Sequence, residues 1–392
     1  MYNTSVPAGN IAGDIACKYK GNSGRKGYDK GQLTLKLQEV SAIQRSTSRA
    51  TALSIDASIG VIQRLLASHH VAERTTTIKP VLTEANKLRR VQYALSFVAD
   101  DARQHGDTFG HAFDPMLNIV HVDEKWFNRD KKTRRFNLVK GEEAPQRRRH
   151  SARHIQKTMF LTAIARPRWD PHRKTEFDGK LGLWPFAEDY ITKRKSKNRP
   201  AGTKLKKNIE SVNSEVYKHF LLEFVFAAIR KKWPRGDRGR IIYVQQDNAT
   251  PHVSPRDPDI LREAKSDGWD IRLIFQPANS PDFNCLDLGY FSAIQSLQYQ
   301  TYIASTEQLI EVVEASFRNL DKQKLDNIFL TLQQVMECVL ACKGGNAYKL
   351  PHLGKAKLLR QRRLHRYIVC DAAVFEAANA MDTFCQSYYT PL

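Results

Sequence analysis

The sequence predicts an α/β core preceded by a small all-α domain, because two kinds of pattern follow one another along the chain. Residues 31–74 contain three short helical stretches, whereas β-prone runs alternate with amphipathic helices from about residue 111 onward. We therefore expect five segments: a flexible basic N-terminal segment (1–30), a helix-turn-helix domain (31–74), a basic linker and helix (75–110), an α/β domain (111–345) and a C-terminal helical region (346–392).

The α/β domain is expected to contain a mixed five-stranded sheet flanked by helices. A basic insertion punctuated by Pro and Gly covers 166–210. The predicted helix 214–233 has an apolar stripe of Tyr217, Phe220, Leu221, Phe224 and Ala228. The order of elements is three strands, helix, strand, helix, strand and helix, which is the order expected of a ribonuclease H-like fold. The predicted strands are 116–122, 134–140, 157–165, 241–246 and 271–276, and a second helix is predicted over 257–268.

The charge of the chain indicates a polyanionic partner. It has 62 Lys and Arg against 41 Asp and Glu, a formal net charge of +21. No segment approaches about 18 consecutive apolar residues, and the N-terminus lacks a basic-then-apolar pattern, so we expect double-stranded DNA and no membrane. The six cysteines are scattered, which suits a reducing compartment.

Residues 47–70 have the size and pattern of a helix-turn-helix, whose second helix would enter a major groove of DNA. The residues expected to face DNA are Ser58, Gln63 and Arg64. A generic helical hairpin is the alternative, because Ser54 occupies the usual place of a turn glycine and Gly60 weakens the second helix. The expected core residues are Ala50 and Leu53 from the first helix, and Ile59, Ile62, Leu65 and Leu66 from the second.

Basic residues elsewhere are expected to contact DNA phosphates, although a solvated surface is the alternative. The segment GNSGRKG (21–27) is either a minor-groove contact or an ordinary tail. Pro80 gives an extended entry to a helix that Thr83 would cap. The run at 193–199 also fits a nuclear-import sequence. The remaining predicted phosphate contacts are Lys79, Lys87, Arg89, Arg90, Lys193, Arg194, Lys195, Lys197 and Arg199.

Three aspartates occupy comparable positions in the α/β pattern. Asp123 and Asp247 each end a predicted strand, and Asp287 lies where a helix can begin after a Ser-Pro turn. If the two strands are neighbours, these carboxylates converge, and oxygen ligands of this kind suit two Mg²⁺ or Mn²⁺ ions. Such a pair of ions can activate water at one side of a phosphodiester and stabilise the leaving oxygen at the other.

Four nearby residues are assigned lesser roles at this site. Glu124 should point to the opposite face of the strand from Asp123. Asp282, in the Ser-Pro-Asp turn, is the rival of Asp287 as the third carboxylate. Asn248 and His252 either contact phosphate or steady the loop after Asp247, and structural capping is an equal alternative for each.

The motifs HVDEKWF, VQQDNATPH and QPANSPDFNCLDLGYFSAIQSLQ together resemble the catalytic motifs of mariner-like transposases. The third acidic position is Asp, and 39 residues (248–286) separate it from the second, as in a plant-type branch of those elements. IKPVLTEANKLRR resembles the linker of the family, SKNRPAGT (196–203) its basic insertion and CKGGNAYKLPHLGK (342–355) its C-terminal region. The resemblance covers about residues 18 to 360.

This resemblance implies a homodimeric nuclear enzyme in which Asp123, Asp247 and Asp287 bind Mg²⁺ or Mn²⁺. Its substrates would be the terminal inverted repeats of an element, and its target a TA dinucleotide. Family members usually carry two helix-turn-helix modules around a Gly-Arg segment. Only about twenty residues precede GNSGRKG here, so the first module is expected to be missing, either because the gene model is truncated or because the copy has decayed. A catalytically silent or domesticated DNA-binding protein and a structure-specific nuclease are the alternatives.

Overall fold

The computed structural model describes residues 28–76, 78–105, 108–148, 155–195 and 200–389, which form two compact units that divide between Ile78 and Lys79. The segment GNSGRKG and the predicted DNA contacts Lys197 and Arg199 lie outside the described residues.

The first unit contains three helices, α1 (Lys30–Glu39), α2 (Ser48–Ser54) and α3 (Ile59–Ala67). Thr47 caps α2 by accepting a hydrogen bond from the Ala50 N–H, at 3.1 Å. Helices α2 and α3 are bent by 111° at their connection, where Asp56 takes a left-handed φ of 52°. A sharp angle across a short turn is the geometry of a helix-turn-helix.

The packing of this unit corrects two predicted core positions. Leu53 is 84% exposed and Ile59 is 40% exposed, because the short helix α2 turns Ala52 inward instead of Leu53. Ser58, Gln63 and Arg64 are exposed. The buried residues of the unit are Leu33, Leu37, Ala52, Ile55, Val61, Ile62 and Leu65.

Of the helices that the structure describes, none by itself has the length and apolar composition needed to cross a membrane. One bent pair, α2 with α3, passes that test together by length and composition only.

The second unit is built on a five-stranded sheet. Its strands run β1 (Val98–His105), β2 (Thr108–Phe113), β3 (Ile119–Asn128), β4 (Lys157–Ala165), β5 (Arg168–Asp170), β6 (Thr175–Phe177), β7 (Lys180–Pro185), β8 (Ala187–Ile191), β9 (Lys204–Asn208), β10 (Ile241–Gln246), β11 (Asp270–Phe275) and β12 (Val369–Asp371). The main sheet has the order β11-β10-β3-β4-β7. Strands β11, β10 and β3 are parallel, and β4 and β7 are antiparallel to their neighbours. The predicted mixed five-stranded sheet is therefore correct.

One strand of that sheet was assigned wrongly. Residues 134–140 form no strand, and the fifth strand is β7, within the predicted basic insertion 166–210. The sequence KLGLWP of β7 buries Leu181 and Leu183, whereas RRFNLVK at 134–140 is largely exposed. Strand β3 also begins later than predicted and continues past Asp123, because β4 pairs with it as far as Asn128.

Helices cover both faces of the sheet. They are α4 (Glu84–Leu95), α5 (Ser214–Lys232), α6 (Pro258–Ala264), α7 (Phe291–Gln298), α8 (Thr306–Asn319), α9 (Lys322–Ala341), α10 (Lys355–Arg360) and α11 (Ala372–Tyr389). Val120 and Val122 face the core that contains α5, and Ile119 faces the core that contains α4, α7, α8 and α9.

Helix α5 contains a π-helical segment, Leu221–Phe226, which changes its predicted apolar stripe. Tyr217, Phe220 and Leu221 are buried as predicted, but beyond that point Val225, Phe226 and Ile229 are the buried residues. Phe224 and Ala228 are only partly buried, because the wider turn rotates the rest of the helix.

The segments before and after the sheet pack against it. Thr83 caps α4 as predicted, by accepting from the Asn86 N–H at 3.2 Å. Strand β12 pairs with β2, and Phe375 of α11 lies in the same core cluster as Val91 of α4. Residues 79–110 and 346–389 therefore belong to the same compact unit as the sheet.

Candidate catalytic site

Strands β3 and β10 bring two of the aspartates to one edge of the sheet. Strand β10 pairs with β3 only as far as His121, so Asp123 lies just beyond the end of this parallel pairing. Asp247 directly follows Gln246, the last residue of β10. Because the strands are parallel, both carboxylates lie at the carboxyl end of the pair, where α/β proteins commonly place their functional groups.

The third aspartate, Asp287, follows a turn that is held by hydrogen bonds of Asn284. Asp287 lies in a wide helical segment, Leu286–Tyr290, that leads into α7. The side-chain oxygen of Asn284 accepts from the Leu286 N–H at 3.0 Å, and its Nδ2 donates to Asp123 Oδ2 at 3.1 Å. The fully buried Asn284 therefore joins the start of the Asp287 segment to Asp123. Asn shortly before a helical segment is a capping pattern, which could have indicated this residue from sequence.

The carboxyl groups of Asp123 and Asp287 lie close enough to each other for their charges to interact. Burial raises the pKa of Asp123 well above its usual value, and the carboxylates of Asp287 and Glu124 raise it further. Burial also raises the pKa of Asp287, although Lys125 opposes this. Two buried acids at this distance are costly to ionise together unless a cation replaces the proton.

Asp247 lies near this pair but is held differently. Its Oδ1 is 2.7 Å from His252 Nδ1, and its carboxylate accepts from the Ala249 N–H at 2.8 Å. The hydrogen bond with His252 lowers the pKa of Asp247, and the charge of Asp247 contributes to the raised pKa values of Asp123 and Asp287. Among the residues that the structure describes, no three His, Cys, Asp or Glu side chains form a group that could hold one metal ion.

His252 joins Asp247 to Glu124. Its Nε2 is 3.1 Å from Glu124 Oε1, and its ring stacks on Tyr217 with centroids 4.3 Å apart. Burial is the largest influence and lowers the pKa of His252, but hydrogen bonds with Asp247 and Glu124 raise it overall to about 10. His252 is therefore an imidazolium between two carboxylates at neutral pH.

Glu124 points to the opposite face of β3 from Asp123, as predicted, because it contacts His252, whose ring stacks on Tyr217 on the α5 side of the sheet. Strand β3 persists through Glu124, yet β10 has already ended, so the loop that carries His252 can reach this side chain. Asn248 has a structural contact, because its Nδ2 donates to the Gln276 carbonyl at 2.7 Å and joins the loops after β10 and β11. Asp282, the rival of Asp287, accepts two hydrogen bonds from Arg90 and is thereby engaged elsewhere.

The predicted phosphate contacts divide into exposed and buried residues. Arg90 is completely buried in α4, so its prediction as a DNA contact is wrong. Arg89 is exposed, and Lys87 pairs with Glu84 at 2.7 Å. Lys79 donates to the Tyr348 carbonyl at 3.4 Å. In the part of the 193–199 run that the structure describes, Lys193, Arg194 and Lys195 are exposed.

A second basic surface was not indicated by the motifs. Residues 338–370 contain no Asp or Glu but eight Lys and Arg, an imbalance visible in the sequence itself. The exposed cations of α10 and the turn after it are Lys357, Arg360, Arg362, Arg363 and Arg366. This segment extends the positive surface of the second unit.

The mixed five-stranded sheet, flanked by helices and with acidic residues at the carboxyl end of its parallel strands, defines a ribonuclease H-like fold. Three solved structures share this fold at a TM-score of 0.52: a pre-cleavage Mos1 transpososome, the Mos1 mariner paired-end complex with Mn and the Mos1 strand transfer complex. Sequence identities are 18%, 17% and 18%, and 83%, 86% and 88% of this chain align with 82%, 87% and 90% of theirs. No protein-family model and no curated protein matches the chain.

Proposed function

We propose that this protein is a metal-dependent DNA transposase of the mariner-like type. The observation that carries the proposal is the placement of Asp123, Asp247 and Asp287 at the carboxyl end of the parallel strands of a ribonuclease H-like sheet, where burial and neighbouring carboxylates raise the pKa values of Asp123 and Asp287. The shared fold with Mos1 complexes supports it, since one of them is described as a paired-end complex with the left transposon end. The net charge of +21 supports DNA as the partner.

The carboxylates fit a hard divalent cation. A buried acid pair that can ionise only with a cation nearby is a suitable site for Mg²⁺ or Mn²⁺. Mg²⁺ commonly takes one or two carboxylates together with water and substrate phosphate, so a ready group of three protein ligands is not required. Asp123, Asp247 and Asp287 would hold the two ions, whose chemistry is activation of a water and stabilisation of the leaving oxygen. Mos1 complexes have been solved with Mn and with Mg.

The neighbouring side chains would support these ligands. Asn284 holds Asp123 against the turn that carries Asp287, while His252 and Glu124 fix the loop that carries Asp247. The exposed residues Ser58, Gln63 and Arg64 would read base edges. The basic residues of both units would bind phosphates. The substrates would be terminal inverted repeats and a TA target, handled by a homodimer in the nucleus.

The test is cleavage of a plasmid that carries the inverted repeats flanking the gene, in Mg²⁺ or Mn²⁺. We expect cleavage at the repeat ends by the wild-type chain and none by Asp123→Asn, Asp247→Asn or Asp287→Asn, with DNA binding retained. Asp101→Asn, a change at an exposed carboxylate on β1, is the matched control and should cleave normally. DNA binding without cleavage by the wild type would instead indicate the catalytically silent alternative.

A further inference from the structure

Arg90 is a buried arginine that forms hydrogen bonds with the turn that contains Asp282. Its Nη1 and Nη2 donate to the two carboxylate oxygens of Asp282, at 2.7 and 2.8 Å, and its Nε donates to the Gly344 carbonyl at 2.9 Å. The Tyr348 hydroxyl donates to the same carboxylate at 2.5 Å. A bidentate arginine–carboxylate pair of this kind fixes the orientation of the two side chains as well as their distance.

The turn held by Arg90 leads directly to the acidic site. Asp282 begins the run Asp282–Phe283–Asn284, and the Arg90 guanidinium lies over the Phe283 ring, 4.7 Å from its centroid. Asn284 then donates to Asp123 and accepts from Leu286, one residue before Asp287. Only one residue, Phe283, therefore separates Arg90's partner Asp282 from Asn284, which joins Asp123 to the Asp287 segment.

A second residue of α4 holds the same turn from one helical turn further on. The Tyr93 ring stacks on Phe283 at 5.3 Å, and its hydroxyl donates to the Gln245 side chain. Gln245 in turn donates to the Phe283 carbonyl at 3.0 Å. Gln245 lies on β10, two residues before Asp247. Helix α4 therefore contacts both the 282–284 turn, which joins Asp123 to the Asp287 segment, and the strand that leads to Asp247.

The contact between Arg90 and the Gly344 carbonyl depends on a glycine at position 344. Gly344 has a φ of 83°, and a Cβ at this position would lie 2.2 Å from the Lys87 carbonyl oxygen. Only glycine lets the 342–346 turn approach α4 closely enough to offer its carbonyl to Arg90. Arg90 is thus enclosed by groups that leave no room for a phosphate.

We infer that Arg90 is a positioning residue for the acidic site: by fixing the 282–284 turn, it sets the placement of Asp287 relative to Asp123. The inference rests on the proposed function, in which these two carboxylates bind a divalent cation. It assigns to Arg90 a role different from that of its neighbour Arg89, which is exposed on the same helix.

The two adjacent arginines give a matched experiment. Mn²⁺ binding to the full chain without DNA is measured from the electron paramagnetic resonance signal of unbound Mn²⁺, for the wild type, Arg90→Lys and Arg89→Lys. Arg90→Lys keeps the charge but loses the two-pronged contact, and we expect Mn²⁺ affinity to fall about tenfold, as for other residues that orient metal ligands. Arg89→Lys should leave it unchanged. DNA affinity should be the same in both variants, since Lys retains the positive charge.

A second variant, Tyr348→Phe, tests the inference if Arg90→Lys does not fold. Tyr348→Phe removes a single hydrogen bond to Asp282, and we expect Mn²⁺ affinity to fall roughly threefold. Equal Mn²⁺ affinity in the wild type and in the folded Arg90→Lys or Tyr348→Phe protein would overturn the inference while leaving the proposed function intact. A wild-type chain that binds no Mn²⁺ would contradict both.

Discussion

Within the acidic site, the Asp123–Asp287 pair and the Glu124–His252–Asp247 group balance their charge in different ways. Burial and neighbouring carboxylates raise the pKa values of Asp123 and Asp287, so a bound cation would favour the loss of a proton from this pair. The second group contains its own cation, the His252 imidazolium, held by ring stacking and two hydrogen bonds. The Asp123–Asp287 pair can therefore replace a proton with a metal cation, whereas the Glu124–His252–Asp247 group keeps the His252 imidazolium as its cation.

The largest expected effect comes from removing the built-in cation. In His252→Gln, Glu124 and Asp247 lose their counter-charge, and the metal-free protein should be destabilised by about 3 kcal/mol, the lower end for breaking a buried pair, because Asp247 is partly exposed. Urea unfolding at neutral pH measures this. His172→Gln, at an exposed histidine, is the control.

The pH dependence of that effect has a defined sign. The pKa of His252 is raised from 6.5 to about 10 in the folded chain, so its stabilisation is complete below pH 6.5 and is lost as the pH rises towards 10. The stability difference between wild type and His252→Gln should therefore shrink across this range. A difference that stays constant would show that packing on Tyr217, and not charge, explains the role of His252.

An intermediate effect is expected at Asn284, which joins Asp123 to the segment that carries Asp287. Asn284→Ala removes the bond to Asp123 and the cap on Leu286, so cleavage should fall about tenfold or more, with DNA binding unchanged. Single-turnover cleavage and gel-shift assays measure the two quantities. Asn319→Ala, at the exposed C-terminal end of α8, is the control. Normal cleavage by Asn284→Ala would remove Asn284 from the support of the site.

The smallest effect concerns stability without metal. The raised pKa of Asp123 means that folding becomes less favourable as the pH rises above about 4, where the unfolded chain releases this proton. Asp123→Asn removes that cost, so the metal-free variant should melt a few degrees higher at pH 7, roughly 2–4 °C for each kcal/mol gained. Thermal melts with and without Mg²⁺ measure this, and a lower melting temperature in the variant would contradict the raised pKa of Asp123.

The sequence predicted those parts of the fold that depend on local patterns. Strands 157–165 and 241–246 and the Thr83 cap lie where alternation and capping residues place them. The strand at 134–140 was wrong because β-prone residues alone do not show whether a partner strand exists, and β7 supplies that partner instead.

The sequence indicated the three aspartates but not the residues that contact them. Asp123 and Asp247 follow apolar runs, which can be read locally. Arg90, by contrast, finds Asp282 and Gly344 at separations of 192 and 254 residues, and a basic residue on a helix is usually solvated. The face occupied by Glu124 followed from strand alternation, but its contact with His252 did not, because that contact depends on a loop beyond the end of β10.

The π-helical segment of α5 has a consequence for aligning this chain with related sequences. One additional residue within Leu221–Phe226 shifts the phase of every later position in the helix, so Ile229 points where Ala228 would in a continuous α-helix. A homologue without this segment would match the chain on both sides only if a one-residue gap is placed inside the helix. An ungapped alignment would pair buried positions of one chain with half-exposed positions of the other, from Phe226 to Lys232.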